Sequence, residues 1–348
     1  MKIIHIHPSA AMAYKFVFPL MEEEKLLGHD TKLIVFKNNS KKIPNIHFDL
    51  SINNLGLLIE VAKFIFFIKK HKPDVVFCHN SIQATIPLLF SKILKCKKII
   101  YFNHGITFLG YSGFLKILFY CFEYLNSILS DLTITVSKDM KKHLDLIKPN
   151  THIIHNGSAC GINIYKHYRQ TKVNKNKKIT ITFVGRLETR KGIKVFKKIL
   201  DFFESHKNIK FVFCGFTNEQ FEKVIKKKYK NLQCLGFIDT VDKVLFSSDI
   251  FILPSLHEGL PYGILEAMLL NNIIIANNVD GINEIVINDF NGILIENNDP
   301  KKYINAINNY LDNKIDYKKF IRNGSKTIKK YDRIEFLKKY RTLITNLT

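Results

Sequence analysis

The sequence contains no tryptophan, and only 9 prolines and 16 glycines among 348 residues. That composition excludes collagen-like and Pro/Gly-rich low-complexity architectures. Acidic residues are scarce: 30 Asp and Glu stand against 53 Lys and Arg, a formal net charge of +23. No Asp-x-Asp occurs, and no His/carboxylate pair has ligand spacing, so no metal site is expected. Six scattered cysteines form no CxxC pair, which argues against a zinc site or a disulfide framework and fits a reducing compartment. No run of about 18 uninterrupted apolar residues is present, so no transmembrane helix is expected. Helix-turn-helix, RNP and zinc-finger patterns are absent too, which weakens any nucleic-acid reading of the positive charge.

What is present is a chain long enough for two ordinary domains, with 46% hydrophobic and 24% charged residues. The positive charge is spread over both halves without a basic tail. It admits phosphorylated substrates, an anionic membrane surface or nucleic acid as partners. A Lys-, Asn- and Ile-rich composition by itself would also produce it. The N-terminal segment interrupts its short apolar run with His5 and His7, and reads as a first strand rather than a signal peptide. A cytoplasmic chain is the expectation.

Short apolar runs alternate with helical periodicity throughout. In the first half, strands are expected at 2–7, 31–36, 75–78, 98–102, 132–136 and 152–155. In the second they are expected at 179–184, 209–214, 233–235, 250–253, 273–276 and 292–295, with helices between. Ser137 is a fitting N-cap for the helix over 138–146. Residues 166–178 are strongly hydrophilic and mark the composition break. The expected domains are therefore 1–165 and 166–330, with a closing helical segment at 331–348. Two βα runs imply an α/β protein with two parallel sheets, each covered by helices on both faces. Two segments, 55–72 and 113–130, are apolar apart from Glu60 and Lys63 in one and Lys116 and Glu123 in the other. They are expected to be helices buried against a sheet; the alternative is surface helices resting in a membrane interface.

Three places could carry chemistry. The strand Ile250–Leu253 runs into Pro254-Ser255, then Glu258-Gly259, then a helix opening near Tyr262 that carries Glu266. Two carboxylates thus flank a helix start. Carboxylates accept hydrogen bonds from sugar hydroxyls, and free N–H groups at a helix start favour an anion. Upstream, a strand ends in Gly185-Arg186, and Lys191-Gly192 opens the next helix. Gly185 permits a tight turn, Arg186 can grip two phosphate oxygens, and Lys191 adds a compact charge. In the first half, Asn103-His104-Gly105 follows a strand, and His79 ends another. Residues 8–14 form the first strand–helix loop without a glycine. Gly157 and Gly161 are candidate hinges.

The Glu258-x7-Glu266 pattern, in the context of Pro254-Ser255, Gly259, Gly263, Ala267, Gly281 and Glu284, resembles the Glu-x7-Glu motif of the family 4 glycosyltransferases. The stretch Gly185 to Gly192 is similar to that family's Gly-Arg-x4-Lys-Gly signature. The resemblance implies the GT-B fold: two Rossmann-like, doubly wound parallel-sheet domains facing a central cleft, with the last helix crossing back to the first domain. It implies a nucleotide-sugar donor whose diphosphate is held by Gly185, Arg186, Lys191, Tyr262 and Gly263. Glu266 would contact the ribose, Glu258 would lie near the donor sugar, and His104 would hydrogen-bond the donor sugar or the reacting centre. It further implies retaining, metal-independent transfer without a cofactor. The acceptor would be a glycan or a polyprenyl-diphosphate-linked sugar in O-antigen, capsule or other lipopolysaccharide or polysaccharide synthesis. The site of action would be cytoplasmic, at the inner face of the membrane, with peripheral contact to anionic lipid and no nucleic acid. A GT-B-shaped nucleotide-sugar epimerase is the first alternative and a basic nucleic-acid-binding protein the second.

Overall fold

The computed structural model describes residues 1–37, 46–51, 54–167, 178–314 and 317–347. The chain divides into two compact units, Met1–Gly161 with Arg333–Thr348, and Ile162–Asp332. Most of the hydrophilic stretch 166–178 lies outside the described residues.

The first unit comprises β1 (Lys2–Ser9), α1 (Ala10–Phe16), α2 (Phe18–Leu26), β2 (Asp30–Lys37), β3 (Ile46–His47), α3 (Leu57–His71), β4 (Val75–His79), α4 (Thr85–Ile93), β5 (Lys98–Asn103), α5 (Gly113–Leu129), β6 (Leu132–Thr135), α6 (Lys138–Asp145) and β7 (His152–Ile153). Among the described residues seven parallel strands pair in the order β3-β2-β1-β4-β5-β6-β7. The two-residue β3 has too little periodicity to be legible in sequence. Strand side chains alternate between faces. On one face Ile4, Ile6, Phe36, Val76, Cys78 and Tyr101 pack with Phe64, Phe67 and Ile68 of α3 and Leu88 of α4. On the other, Leu33 and Val35 pack with Ala10, Ala13, Val17 and Met21 of α1 and α2. Ser137 caps α6, its hydroxyl accepting from Met140 N–H at 3.2 Å.

The second unit comprises β8 (Ile179–Val184), α7 (Ile193–Phe203), β9 (Ile209–Cys214), α8 (Asn218–Ile225), β10 (Leu232–Cys234), α9 (Asp242–Phe246), β11 (Ile250–Leu253), α10 (Tyr262–Leu269), β12 (Ile273–Asn277), β13 (Ile293–Ile295), α11 (Pro300–Leu311) and α12 (Tyr317–Lys329). Its described strands pair in parallel in the order β10-β9-β8-β11-β12-β13. Strands β11 and β12 are buried along their whole length, as expected where helices cover both faces. Phenylalanine, 28 residues of it, does the work of the absent tryptophan. Phe196 of α7 meets Phe183 of β8 and Phe213 of β9 with ring centroids 4.7 Å apart in both pairs.

The last helix, α13 (Arg333–Thr345), belongs to the first unit. Its Tyr340 hydroxyl donates to Glu24, and Arg341 Nε donates to Glu23 at 2.6 Å. The units therefore divide at 161/162 and 332/333.

The reading of 113–130 as a helix with its apolar residues buried is corrected by the structure. α5 forms there, but the residues it buries are Glu123, Asn126 and Ser127. Glu123 accepts hydrogen bonds from the Ser81 hydroxyl, from Tyr101 OH at 2.7 Å and from Asn103 Nδ2 at 2.9 Å. Those polar partners on β5 and beside β4 turn the helix over, since a buried polar group left unpaired would cost more than an exposed apolar one. Segment 55–72 behaves as expected on its inner face, where α3 buries Val61, Phe64, Phe67 and Ile68.

Candidate active site

In an open parallel sheet, ligands bind beyond the carboxyl ends of the strands where the strand order reverses. In the second unit that point lies between β8 and β11, neighbours in the sheet from which the order runs outward in both directions. The loop after β8 carries Arg186 and Lys191, and the loop after β11 carries Glu258. Topology thus brings to one sheet edge two motifs that are far apart in sequence.

The two loops are tied together closely. Lys191 Nζ lies 2.5 Å from Glu258 Oε1, with about a tenth of each side chain exposed. Burial pushes the Glu258 carboxyl up, but the Lys191 charge and hydrogen bond outweigh it and hold the group below its ordinary range. Leu256 N–H donates to the Arg190 carbonyl at 2.7 Å. Gly192 has φ +78°, and a Cβ there would stand 2.0 Å from the Pro254 carbonyl oxygen. Asn298 Nδ2 donates to that same oxygen at 2.8 Å, and Asn277 Nδ2 donates to the Ser255 carbonyl at 2.9 Å. Gly281, at φ +79°, comes so close that a Cβ would sit 2.4 Å from the Gly259 oxygen.

Arg186 is mostly exposed and reaches Glu188 Oε1 at 2.8 Å, while Arg190 Nε donates to the other oxygen at 2.7 Å. One carboxylate therefore holds two guanidinium groups side by side. The expectation for Gly185 was a tight turn. Its requirement is instead steric: a Cβ would lie 2.6 Å from the Phe183 ring. Gly263 is close-packed in the same way, 3.0 Å from the Phe251 ring. At the start of α10 the cap position is Pro261, which supplies no side-chain cap, and Ile264 N–H donates to the Pro261 carbonyl at 3.0 Å. Tyr262 and Glu266, four residues apart, share one helix face and are each half-buried.

His104 lies in the first unit, at the end of a buried chain of rings. Glu24 Oε1 meets His5 Nε2, His5 Nδ1 meets His79 Nε2, and His79 Nδ1 meets His104 Nε2, each at 2.9 Å. Burial pushes the His104 ring down to about 3, with His7 adding to the effect. Burial likewise holds His79 well below its ordinary value, and His7 at about 4. Glu24, despite its own burial, is held below the usual carboxyl range by the His5 ring and its hydrogen bonds. The ring nitrogens thus link the Glu24 carboxylate to His104 through His5 and His79. His79 and His104 stand out at strand ends in the sequence, but Glu24 does not. Nothing in an exposed-looking run of three glutamates on α2 signals a buried ligand for a histidine.

The Asn103-His104-Gly105 turn is braced from the opposite side of the sheet. Asn103 Oδ1 accepts from Gly105 N–H at 2.7 Å, while its Nδ2 donates to Glu123. Burial raises the Glu123 carboxyl from its ordinary value to about 7. Between those values the folded chain keeps a proton that the unfolded chain has lost, so stability falls as pH rises through the window. Glu123→Gln is expected to flatten that slope, shrinking the Tm difference between about pH 5 and about pH 8 by several degrees, or roughly 1–3 kcal/mol. An unchanged difference in thermal melts would mean that this carboxyl does not titrate there.

The comparisons decide the family. The model described as Glycosyltransferase Family 4 matches residues 27–158, and that described as Glycosyl transferases group 1 matches residues 165–327. The chain belongs to the family 4 glycosyltransferases. Among its relatives, the UDP-Gal:α-D-GlcNAc-diphosphoundecaprenol α-1,3-galactosyltransferase of Escherichia coli is 27% identical over 322 residues, covering 85% of this chain and 82% of its own. The N,N'-diacetylbacillosaminyl-diphospho-undecaprenol α-1,3-N-acetylgalactosaminyltransferase of Campylobacter jejuni is 25% identical over 182 residues, covering 50% of this chain and 48% of its own. Among solved structures, HepE of Anabaena in complex with UDP and glucose superposes with a TM-score of 0.79 at 18% identity, covering 99% of this chain and 100% of that one. The fold of this glycosyltransferase is GT-B. Its second unit holds Gly185, Arg186, Lys191, Glu258, Tyr262, Gly263 and Glu266, and His104 belongs to its first. Of these, Lys191 and Glu258 touch one another directly. Sequence reading missed Glu188, Asn277 and Asn298, which orient the loops. Asparagines in a Lys/Asn-rich chain carry no signal of their own.

Proposed function

We propose that this glycosyltransferase moves a hexosyl group from a nucleotide-sugar to a polyprenyl-diphosphate-linked glycan, with retention of configuration and without a metal or cofactor. The product would enter a surface polysaccharide such as O-antigen or capsule, assembled at the inner face of the membrane. The E. coli and C. jejuni relatives, whose names specify diphosphoundecaprenol-linked acceptors, support that substrate class. UDP-sugars are the first donors to test, given the donor named for the E. coli relative. The observation that carries the reading is the coupling of Lys191 to Glu258 across the loops that follow β8 and β11.

In this scheme the bond from the anomeric carbon to the diphosphate oxygen breaks, and one to the acceptor oxygen forms on the same face. The acceptor proton passes to the departing diphosphate. Arg186 and Lys191 meet the charge that develops there. Glu258, held ionised by Lys191, accepts from hydroxyls of the donor sugar rather than donating a proton. Glu266 accepts from the ribose.

The test is transfer from a panel of labelled UDP- and GDP-sugars to a synthetic polyprenyl diphosphate-sugar, with the new linkage read by NMR and the reaction repeated in EDTA. An inverted linkage, or dependence on added divalent metal, would overturn the corresponding part of the reading. Donor consumption without acceptor would favour the epimerase. Arg186→Ala is expected to lower kcat/KM roughly 10- to 100-fold through loss of one charge-assisted contact. Wild-type kinetics in that variant would remove Arg186 from the site.

A further inference from the structure

Helix α5 is inside out. The residues it buries are Glu123, Asn126 and Ser127, while Phe114, Leu115, Ile117, Leu118, Tyr124 and Ile128 are exposed, Phe114 at 76% and Ile117 at 63%. A surface helix of a soluble protein has the opposite arrangement. The inversion is anchored in the fold, since Asn126 Nδ2 donates to the Ser81 carbonyl at 3.0 Å and Glu123 takes three donors. The helix cannot roll its apolar side inward without orphaning those groups.

The apolar surface does not end with α5. Helices α3 and α4 cover the same face of the sheet, and both join the core cluster against which Leu129 of α5 packs. Their outer sides expose Leu58, Ile59 and Phe66 of α3 and Ile93 of α4. Exposed apolar side chains gathered on three helices of one sheet face mark an interaction surface.

We infer that α5, together with the exposed outer sides of α3 and α4, lies in the interfacial layer of an anionic bilayer. Charge selects the occupant. Lys116 sits on α5 itself, and Lys69 and Lys70 close α3, all three exposed, on a chain of formal charge +23. A second copy of so basic a chain would repel the first, whereas an anionic leaflet attracts each lysine near it. The aromatic make-up agrees: Tyr111, Tyr120 and Tyr124 are exposed, and tyrosine favours the headgroup level. No described helix is long and apolar enough to cross a membrane, so α5 would lie along the surface rather than span it. The inference deepens the proposed role on a lipid-linked acceptor by assigning the surface that meets the lipid. Because Glu123 also holds Asn103, next to His104, a docked α5 is braced directly against the His104 turn.

The test is flotation of the full chain with phosphatidylglycerol/phosphatidylcholine vesicles at low salt. The variant Phe114→Ser/Ile117→Asn/Ile128→Asn changes exposed positions alone, and its fold is checked by circular dichroism and thermal melting. Wild type is expected to float with anionic vesicles and to release as salt rises, and the triple variant to lose at least about 10-fold in partitioning. Wild type remaining at the bottom, or a folded variant floating equally, would overturn the inference. So would a dimer of wild type in light scattering that the variant abolishes, with no flotation in either. Transfer to a water-soluble short-chain acceptor, measured in parallel, separates this failure from failure of the proposed reaction. Activity there with no vesicle binding removes the docking surface alone, whereas binding without transfer to any acceptor removes the reaction alone.

Discussion

Lys191→Ala is expected to lower kcat/KM for sugar transfer roughly 10²- to 10³-fold, because it removes a preorganised cation from the developing diphosphate charge. A second effect follows from its partner. Glu258 is 8% exposed, and Lys191 holds its carboxyl ionised. Without the ammonium a buried charge stands unpaired, at a cost of roughly 3–5 kcal/mol. The depressed pKa of Glu258 contributes stability above its ordinary value, which is lost as pH falls through the lower folded value. The alanine variant therefore loses stability at neutral pH and little in acid, where wild type has already lost the contribution. The double variant Lys191→Met/Glu258→Gln separates the roles: it should recover most of the melting temperature and none of the transfer. Near-wild-type turnover in the single variant would place the diphosphate elsewhere. Full activity in the double variant would show that the pair is structural.

Gly192→Ala is the larger perturbation per atom added. The residue has φ +78°, and its Cβ would lie 2.0 Å from the Pro254 oxygen and 2.9 Å from the Pro254 Cβ. A left-handed conformation costs a non-glycine residue about 1–3 kcal/mol, and overlap with backbone cannot be relieved by a rotamer change. A loss of roughly 3–5 kcal/mol in urea unfolding is expected. Pro254 must also retreat, which shifts the loop carrying Glu258 and costs transfer activity. Gly110→Ala is the control, having nothing within 4 Å of its Cβ and an ordinary φ, and should be nearly neutral. Equal melting of the two variants would mean that the 254–258 loop is not held as described.

The same two residues show how much was legible beforehand. Lys191-Gly192 reads in sequence as a helix opening with a charge beside it. The pairing of that charge with Glu258, 67 residues on, is invisible without the sheet. Strand existence was legible almost everywhere, because a strand covered on both faces must be apolar along its length. β8, β9 and β11 span the residues expected for them, 179–184, 209–214 and 250–253. Ends set by single backbone conformations were not. Helix α8 stops at Ile225, where Lys226 takes φ 61°, and no residue type in that Lys-rich run marks the end.

By itself the sequence determined the α/β class, the two βα runs and the site motifs, since periodicity, strand-end glycines and charge spacing are local properties. Tertiary structure alone decided what each polar residue faces. Nothing in the sequence tells what Glu24, Glu123 and Glu258 each face. Their environments make one the terminus of a histidine chain, one a raised acid under an inverted helix, and one the counter-ion of a lysine. Desolvation and the nearest charge set those differences, and both depend on which strands the fold places side by side.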